Sequence, residues 1–295
     1  MTAAPMTFPA DVPLNLYRVS SPGRARVVSN TRLTPEGCDE VRHLVFDLRG
    51  LDYRFLEGQS MGVLTPGVNE KGQPNKLRLY SIASTRNGDD GSGNTASLCV
   101  KRVVYSDPET GEERRGIASN YLCDLEPGEE VAVTGPSGRT FLLPEDPDAD
   151  LVFVATGTGI APFRAFLRRI FLESTGRRGR VTLIFGVRTR TECLYLDELE
   201  EFRRFPNFQL WTAFSREETT ADGKRLYVQH RIAQHVEEIW KQLERDHGLL
   251  YICGLKGMET GINEVLERHA GSVGSSWTDL AARLDAAGRL HIETY

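Results

Sequence analysis

The chain has 295 residues, of which 40% are hydrophobic and 26% are charged, and its formal net charge is −5. This length suits two domains of ordinary size, and no apolar run approaches the roughly 18 residues that a membrane-spanning helix needs. The acidic balance argues against broad nucleic-acid binding.

The five cysteines are dispersed and include no C-x-x-C pair. This spacing is typical of a reducing compartment and excludes a cysteine-ligated iron–sulfur cluster with closely spaced ligands. We therefore expect no metal site and a cytoplasmic location. Residues 1–11 show neither a basic segment nor an apolar core, so no signal peptide is predicted.

The first half of the chain consists of short apolar segments separated by turns that contain Gly and Pro. Strands are predicted at residues 25–29, 41–47, 60–64, 78–84, 96–102 and 130–135, with one short helix at 119–124. Many short strands at close spacing indicate an antiparallel barrel or a sandwich.

The strand at residues 78–84 (RLYSIAS) has polar side chains on an otherwise apolar stretch. Period-two alternation places Arg78 and Tyr80 on one face and Ser81 on the other, so one strand could meet both a flat ring system and a phosphate. Ser119 is predicted to be the N-cap of the short helix, where a flavin pyrophosphate could bind opposite Arg78. The alternatives are an ordinary surface strand and an ordinary N-cap.

The pattern changes after a junction rich in Pro and Asp at residues 143–150. Strands predicted at 151–155, 181–185, 208–213, 249–253 and 290–293 alternate with helices at 160–173, 196–205, 228–244, 256–269 and 276–287. This alternation predicts a doubly wound α/β domain with a parallel sheet.

Two stretches of this half suit a dinucleotide. The turn at residues 156–162 (TGTGIAP) has two glycines that let the backbone approach a phosphate at a helix N-terminus, although a tight turn without a ligand is the alternative. A hydroxyl, three cations, an aromatic ring and an amide follow the third strand, at Ser215, Arg216, Lys224, Arg225, Tyr227 and Gln229. Cations at this place accommodate a 2′-phosphate and favour NADPH over NADH, but Glu217, Glu218 and Asp222 leave a solvated basic loop as the alternative.

These segments resemble plant-type ferredoxin–NADP reductases, specifically members without the additional N-terminal domain of many cyanobacterial ones. The matching stretches follow the family's order from about residue 14 to the end, at residues 78–84, 98–101, 116–122, 134–136, 155–164, 215–216, 225, 227, 253–259 and 293–295. The resemblance implies an FAD-binding antiparallel β-barrel at residues 1–147, followed by an NADP-binding, doubly wound α/β domain at residues 148–295.

The resemblance also implies roles for individual residues. Binding of FAD or NADP is implied for Arg78, Tyr80, Ser81, Leu98, Val100, Lys101, Tyr105, Gly116, Ile117, Ala118, Ser119, Thr158, Ser215, Arg216, Arg225, Tyr227, Gln229, Gly254, Leu255 and Tyr295. Catalytic roles beside the reacting rings are implied for Ser81, Cys253, Glu293 and Tyr295. Tyr80 and Tyr295 would cover opposite faces of the flavin.

The implied function is that of an FAD-dependent reductase. It would transfer electrons between NADP(H) and a one-electron carrier, ferredoxin or flavodoxin, because a flavin accepts either one or two electrons. The reductase component of an oxygenase and a flavin-binding sensor without turnover are the alternatives. We expect a monomer that binds no nucleic acid.

The surface for an acidic partner departs from the family's usual pattern at two positions. Gln73 replaces a common lysine, and Ser137 replaces a common apolar residue. The basic residues left for such a partner are Lys76, Lys101, Arg102 and Arg139.

Overall fold

The computed structural model describes residue 12 and residues 14–69, 71–173 and 176–295. The prediction that residues 1–11 hold no signal peptide lies outside these ranges. None of the helices in the described ranges combines the length and apolarity needed to cross a membrane.

Packing divides the chain into two compact units. The barrel unit runs up to Leu142 and includes Arg164–Arg168. The α/β unit comprises Leu143–Phe163 and Arg169–Tyr295. Each unit has its own sheet and its own hydrophobic core.

The barrel unit is built around a six-stranded antiparallel sheet. Its elements in chain order are β1 (Gly23–Arg32), β2 (Val41–Asp47), β3 (Ser60–Leu64), β4 (Arg78–Ser81), β5 (Thr95–Lys101), β6 (Val104–Ser106), β7 (Glu113–Arg115), α1 (Ile117–Asp124) and β8 (Glu130–Ser137). The sheet order is β4-β3-β8-β1-β2-β5, while β6 and β7 form a separate hairpin. The six predicted strands are confirmed, and β2 and β3 have the predicted bounds.

The two edges of this sheet meet and close it into a barrel. Ile82, directly after β4, forms an antiparallel bridge with Leu98 of β5. The amide of Ala83 donates a hydrogen bond to the Ser97 carbonyl at 2.8 Å. Apolar side chains such as Met61 fill the core of the unit. Of the two predicted architectures, the barrel is the one observed.

Two local features of this unit differ from prediction. The β6–β7 hairpin is absent from the predicted elements because its strands are short and mostly exposed, so they carry no apolar alternation. Helix α1 begins at Ile117, with Gly116 as its N-cap, so the prediction of Ser119 as N-cap is wrong. The Ser119 hydroxyl instead lies inside the first turn, where it donates to the Gly116 carbonyl at 3.2 Å and accepts from the Val103 amide at 3.1 Å.

The α/β unit contains a five-stranded parallel sheet with the order β11-β10-β9-β12-β13. The elements of this half in chain order are β9 (Asp150–Thr156), α2 (Ile160–Arg168), β10 (Val181–Val187), α3 (Leu196–Glu201), β11 (Phe208–Phe214), α4 (Val228–Gln234), α5 (Val236–Glu244), β12 (Gly248–Gly254), α6 (Met258–Ser272), α7 (Trp277–Ala286) and β13 (Leu290–Thr294). All five predicted strands are confirmed.

Helices pack on both faces of this sheet. Phe163 of α2 stacks on Phe153 of β9, with ring centroids 4.8 Å apart. Val152 and Val154 belong to a core cluster with side chains of α4, α5, α6 and α7. Alternate residues of a strand point to opposite faces, so the two sets of helices cover opposite sides of the sheet. The predicted doubly wound fold is therefore confirmed.

Three predicted helices are shorter or divided. A π-type turn, Arg169–Glu173, follows α2, and a 3-10 turn, Phe202–Arg204, follows α3. The helix predicted at residues 228–244 is two helices, because the chain breaks at His235. The His235 imidazole stacks on the Trp211 ring at 3.9 Å, so a tertiary contact accompanies this break.

Removing Glu57 should destabilise the barrel unit. Glu57 is 1% exposed and accepts hydrogen bonds from the Arg86 guanidinium at 2.6 Å and from the Arg86 amide at 2.8 Å. Glu57→Ala should lower the free energy of unfolding by about 1.5–3 kcal/mol, because it removes hydrogen bonds to a buried carboxylate and leaves the Arg86 amide without this acceptor. Urea denaturation measures this change.

The matched control is Asp52→Ala, which removes the solvent-exposed ion pair between Asp52 and Arg54. Exposed pairs contribute about 0–1 kcal/mol, so this variant should stay close to the wild type. Equal losses of unfolding free energy in the two variants would contradict the stabilising role of the buried Glu57 carboxylate.

Candidate active site

Three strand ends of the α/β unit meet at one edge of the sheet. β9 lies between β10 and β12, where the strand order reverses. In open α/β sheets, ligands bind outside the carboxyl ends of the strands at such a switch point. Six predicted site residues lie at the ends of β9, β12 and β13 or just after them, namely Thr158, Cys253, Gly254, Leu255, Glu293 and Tyr295.

The turns after β9 and β12 approach too closely for side chains to fit between them. A Cβ atom on Gly159 would lie 2.2 Å from the Cys253 carbonyl oxygen, and one on Gly254 would lie 2.1 Å from Thr156 Oγ1. Gly254 also has a φ of +149°, which residues with a side chain rarely adopt. The Thr156 hydroxyl accepts a hydrogen bond from the Leu255 amide at 2.9 Å. Glycine at both positions therefore allows the two turns to join.

The last residue is held at this edge rather than frayed. The Tyr295 amide donates to the Gly254 carbonyl at 3.0 Å, and the Tyr295 carbonyl accepts from the Lys256 amide at 3.1 Å. The phenol oxygen lies 2.5 Å from the Thr158 hydroxyl, within hydrogen-bonding distance. The Tyr295 side chain is 59% exposed, so these bonds fix an aromatic ring that a ligand can reach.

Cys253 and Glu293 lie opposite each other in the β12–β13 ladder. Burial raises the pKa of the Cys253 thiol, and the Glu293 carboxylate adds to this rise, so the thiol is neutral at physiological pH. Burial also raises the pKa of Glu293 to about 7. A carboxyl group with this pKa can hold or release a proton near neutrality.

The loop after β11 carries the residues predicted to recognise a 2′-phosphate. Ser215 is half-buried at the end of the strand, whereas Arg216 and Arg225 are exposed. An antiparallel bridge between Thr219 and Arg225 holds the loop in a hairpin. Within the described residues, neither Arg216 nor Arg225 forms an ion pair.

Acidic side chains of this loop engage other partners. Asp222 forms an ion pair with Lys224 at 2.8 Å, and Lys224 lowers the pKa of Asp222 to about 2. Glu218 forms an ion pair with Arg231 of α4. An acid of the loop therefore neutralises Lys224, whereas none pairs with Arg216 or Arg225 within the described residues.

Tyr227 and Gln229 lie at the start of α4. Tyr227 occupies the N-cap position, and its amide donates to Nδ1 of His230 at 2.9 Å. The Tyr227 side chain is 43% exposed. Gln229 is half-buried against Gly261 of α6, where a Cβ atom would lie 3.0 Å from the Gln229 amide carbon. Tyr227 thus presents an exposed ring that also contacts the His230 ring, with centroids 6.0 Å apart, while Gln229 packs between two helices.

The barrel unit has an open groove beside β4. The groove has a volume of about 730 Å³ and lies between β4, the β6–β7 hairpin and the first turn of α1. This volume falls within the usual range for cofactor sites, about 300–1,000 Å³. The residues implied for cofactor binding that line it are Arg78, Tyr80, Tyr105, Gly116, Ile117, Ala118 and Ser119.

The lining of this groove fits a phosphorylated ring system such as FAD. The first amides of α1 have no acceptor within the helix and are free to donate to a phosphate, whose charge Arg78 balances. Tyr105 is 53% exposed and presents a ring on which a flat base can stack. Burial raises the pKa of Tyr80 to about 12, so its phenol is neutral. The groove therefore offers amide donors, several cations including Arg78, and two aromatic rings.

Four other residues implied for cofactor binding do not line the groove. Leu98 and Val100 lie in the barrel core, 0% and 1% exposed, so their side chains do not reach a ligand there. Lys101 is exposed and forms an ion pair with Asp39 at 2.7 Å. Ser81 is half-buried on β4, opposite Ser60 of β3.

Nine of the residues that line the groove are absent from the predicted set, and two arginines are among them. Arg114 and Arg115 lie on β7 and line the groove. Arg115 also forms an ion pair with Glu113 at 3.2 Å. The signal for them is a basic pair directly before Gly116 in the sequence. Among the described residues, no group of three His, Cys, Asp or Glu side chains could hold a metal ion.

Comparison with known sequences identifies relatives over nearly the whole chain. Residues 153–264 match the model of an oxidoreductase NAD-binding domain. The chain is 47% identical to a ferredoxin–NADP reductase of Thermosynechococcus vestitus over 292 residues, which cover 97% of this chain and 76% of that protein. It is 44% identical to the leaf-type chloroplastic isozyme of Nicotiana tabacum over 288 residues, 96% of this chain and 79% of that protein.

The chain belongs to the ferredoxin–NADP reductase family. Solved structures of the family share its fold. A ferredoxin–NADP⁺ reductase from Plasmodium falciparum superposes with a TM-score of 0.76 at 29% identity, over 96% of this chain and 99% of that one. The same reductase with 2′P-AMP gives a TM-score of 0.75 at 28% identity, with the same coverage.

Glu293→Gln should alter stability in a pH-dependent way. Burial raises the pKa of Glu293 from 4.5 to about 7, so between these values folding takes up a proton, and the contribution of this group to stability falls as the pH rises. Glutamine has no such charge. We expect the variant to gain up to about 3 kcal/mol on the wild type between pH 4.5 and pH 8.

Urea unfolding at pH 4.5, 6 and 8 measures this difference. Glu264→Gln, at an exposed position of α6, is the matched control. A Glu293→Gln variant whose difference from the wild type is constant across the three pH values would contradict the raised pKa.

Proposed function

We propose that the chain is an FAD-dependent reductase that transfers electrons between ferredoxin and NADP(H). FAD binds in the groove of the barrel unit, and NADP(H) binds at the carboxyl edge of the parallel sheet. The observation that carries the proposal is the pair Arg216 and Arg225, which lack acidic partners within the described residues and lie on one loop with Ser215. The assignment of residues 1–147 to FAD and 148–295 to NADP stays a prediction.

The chemistry of this loop supports NADP(H) over NAD(H). A phosphate monoester carries a charge of about −1.5 to −2 near neutral pH, and guanidinium groups bind it through paired hydrogen bonds. The Ser215 hydroxyl can donate to the same phosphate, and the exposed Tyr227 ring can stack on adenine. The relative from Plasmodium falciparum has been solved with 2′P-AMP, which supports this compound as a probe for the present chain.

The barrel groove supports FAD binding. The free amides of α1 and the Arg78 guanidinium suit the pyrophosphate, and Tyr105 suits the adenine. Bound flavin exchanges a hydride with nicotinamide and single electrons with a carrier.

The residues at the carboxyl edge of the parallel sheet support a role in proton transfer. Glu293 has a pKa of about 7, so its carboxyl group can hold a proton and release it near neutral pH. The neighbouring Cys253 is buried and neutral, so it contributes a compact, polarisable wall rather than a second charge. Thr158 holds the Tyr295 phenol 2.5 Å away and thereby orients its ring.

Only some of the basic residues predicted to bind an acidic carrier are free of ion pairs within the described part of the barrel unit. Arg102 forms ion pairs with Glu40 and Asp124, both at 2.7 Å, so it is committed within the unit. Lys76 is exposed and forms no ion pair within the described residues, which supports a role in docking ferredoxin. Flavodoxin is a second carrier of the same acidic class.

A cytoplasmic location is part of the proposal. All five cysteines are free thiols, and four of them are buried. Free thiols are typical of proteins from reducing compartments.

Anaerobic mixing with NADPH tests the function directly. The flavin absorbance band should bleach on mixing with NADPH and much more slowly with NADH, because only NADPH carries the 2′-phosphate. Ferredoxin added next should become reduced, at a rate that falls as salt rises, because salt screens the docking charges. A band that persists with NADPH would refute the reductase assignment.

Neutralising either unpaired arginine should weaken coenzyme binding selectively. Arg216→Gln and Arg225→Gln should each cost about 1.5–3 kcal/mol in NADP⁺ binding, the scale of a hydrogen bond to a charged group. NAD⁺ binding should stay unchanged, as titration calorimetry can show. The control is the double variant Asp222→Asn/Lys224→Gln, because it removes a mutually neutralised ion pair and leaves the net charge of the loop unchanged. Equal losses for NADP⁺ and NAD⁺ would contradict the 2′-phosphate site.

A further inference from the structure

Arg190 lies in the turn after β10. This turn adjoins the loop after β11, residues 215–227, which carries Arg216 and Arg225 and is called the coenzyme loop below. Strand β10 pairs with β11 in parallel register through Val187 opposite Phe214. Parallel neighbours end at the same edge of a sheet, so the turn after β10 adjoins the loop after β11. A backbone hydrogen bond joins them, from the Arg216 amide to the Arg188 carbonyl at 2.8 Å.

The guanidinium of Arg190 packs against the end of the strand that leads into this loop. It lies over the Phe214 ring, 6.0 Å from the ring centroid, and Phe214 directly precedes Ser215 and Arg216. Arg190 is exposed, and it forms no ion pair within the ranges that the structure describes. Its amide donates to the Glu217 carboxylate at 3.1 Å, so the backbone of Arg190 is tied to the residue after Arg216.

We propose that Arg190 is a third cation of the 2′-phosphate site and determines coenzyme specificity together with Arg216 and Arg225. The ligand it recognises is a nucleotide with a phosphate on the 2′-oxygen of ribose. This inference rests on the proposed binding of NADP(H) at the same loop. The site then draws its cations from two neighbouring strands rather than from one loop.

The charge of the loop supports a third cation. Asp222 and Glu218 are neutralised by Lys224 and Arg231. Arg190, Arg216 and Arg225 form no ion pair within the described residues, so their guanidinium groups remain available to a ligand. A phosphate monoester carries up to −2 near neutral pH, so a third cation strengthens its binding.

The side chain of Arg190 can be changed without losing its backbone contact, because the hydrogen bond to Glu217 comes from the main-chain amide. Arg190→Gln removes the charge. Arg190→Met also removes the charge but keeps a long apolar side chain over Phe214. Arg190→Lys keeps a charge in the same place.

Titration calorimetry with 2′-phospho-AMP and with AMP on the full-length protein tests the proposal. Arg190→Gln and Arg190→Met should weaken binding of 2′-phospho-AMP by about tenfold and leave AMP binding unchanged. Arg190→Lys should recover most of the lost affinity. The matched control is Arg204→Gln, because Arg204 makes the same kind of contact, 5.0 Å over the Phe205 ring, before the amino end of β11.

The outcomes separate this inference from the function on which it rests. Wild-type affinity for 2′-phospho-AMP in Arg190→Gln, with a loss in Arg216→Gln, would overturn the role of Arg190 alone. A loss in Arg190→Gln that Arg190→Met restores would assign Arg190 to packing on Phe214 and also overturn the proposal. Wild-type affinity in Arg216→Gln and Arg225→Gln as well would overturn the 2′-phosphate site itself.

Discussion

The carboxyl edge of the parallel sheet depends on direct contact between two backbone turns. Gly159 and Gly254 have no room for a side chain, so the turns after β9 and β12 lie against each other without an intervening layer. The ladder between β12 and β13 then places Glu293 opposite Cys253, and the final residue bonds to the Gly254 carbonyl. A thiol, a carboxyl group and an aromatic ring thereby take fixed positions from strand register rather than from flexible loops.

Some cations are held in ion pairs with nearby carboxylates, whereas others remain available to bind a ligand. Lys224 and Lys101 each have a carboxylate at 2.7–2.8 Å, so a ligand would first have to displace that acid. Such exposed pairs are weak, and displacing them costs about 0–1 kcal/mol each. Arg216 and Arg225 carry no such cost within the described structure. The acids around the loop after β11 therefore determine which of its cations remain available to a ligand.

Much of the fold could be predicted because the apolar patterns are simple. The strands of the parallel sheet are covered on both faces and appear as continuous apolar runs, as in β9. The break at His235 could not be predicted, because it has no Gly or Pro and coincides with a stacking contact on Trp211. The start of α1 was misplaced because Ser119 is a good N-cap residue, yet Gly116 takes that position.

The position of a candidate residue could be predicted where it follows a strand, whereas its ion pairs could not. Ser215, Arg216 and Tyr295 follow strands whose order brings them to one edge, which the alternation of strands and helices predicts. Whether a given lysine is free depends on an acid that approaches only in the folded chain, as for Lys101 and Asp39. Sequence spacing alone carries no information on such pairs.

The two main sheets differ in whether their edge strands are paired. In the barrel, the bridge from Ile82 to Leu98 joins the two sides of the sheet. The parallel sheet stays open, and β11 and β13 each pair with one neighbour only. Unpaired main-chain donors and acceptors on such strands are templates for another chain, and Ile292 of β13 adds an apolar side chain that is 45% exposed. The outer strands of the parallel sheet are therefore sites where strand addition from another molecule, and with it aggregation, can begin.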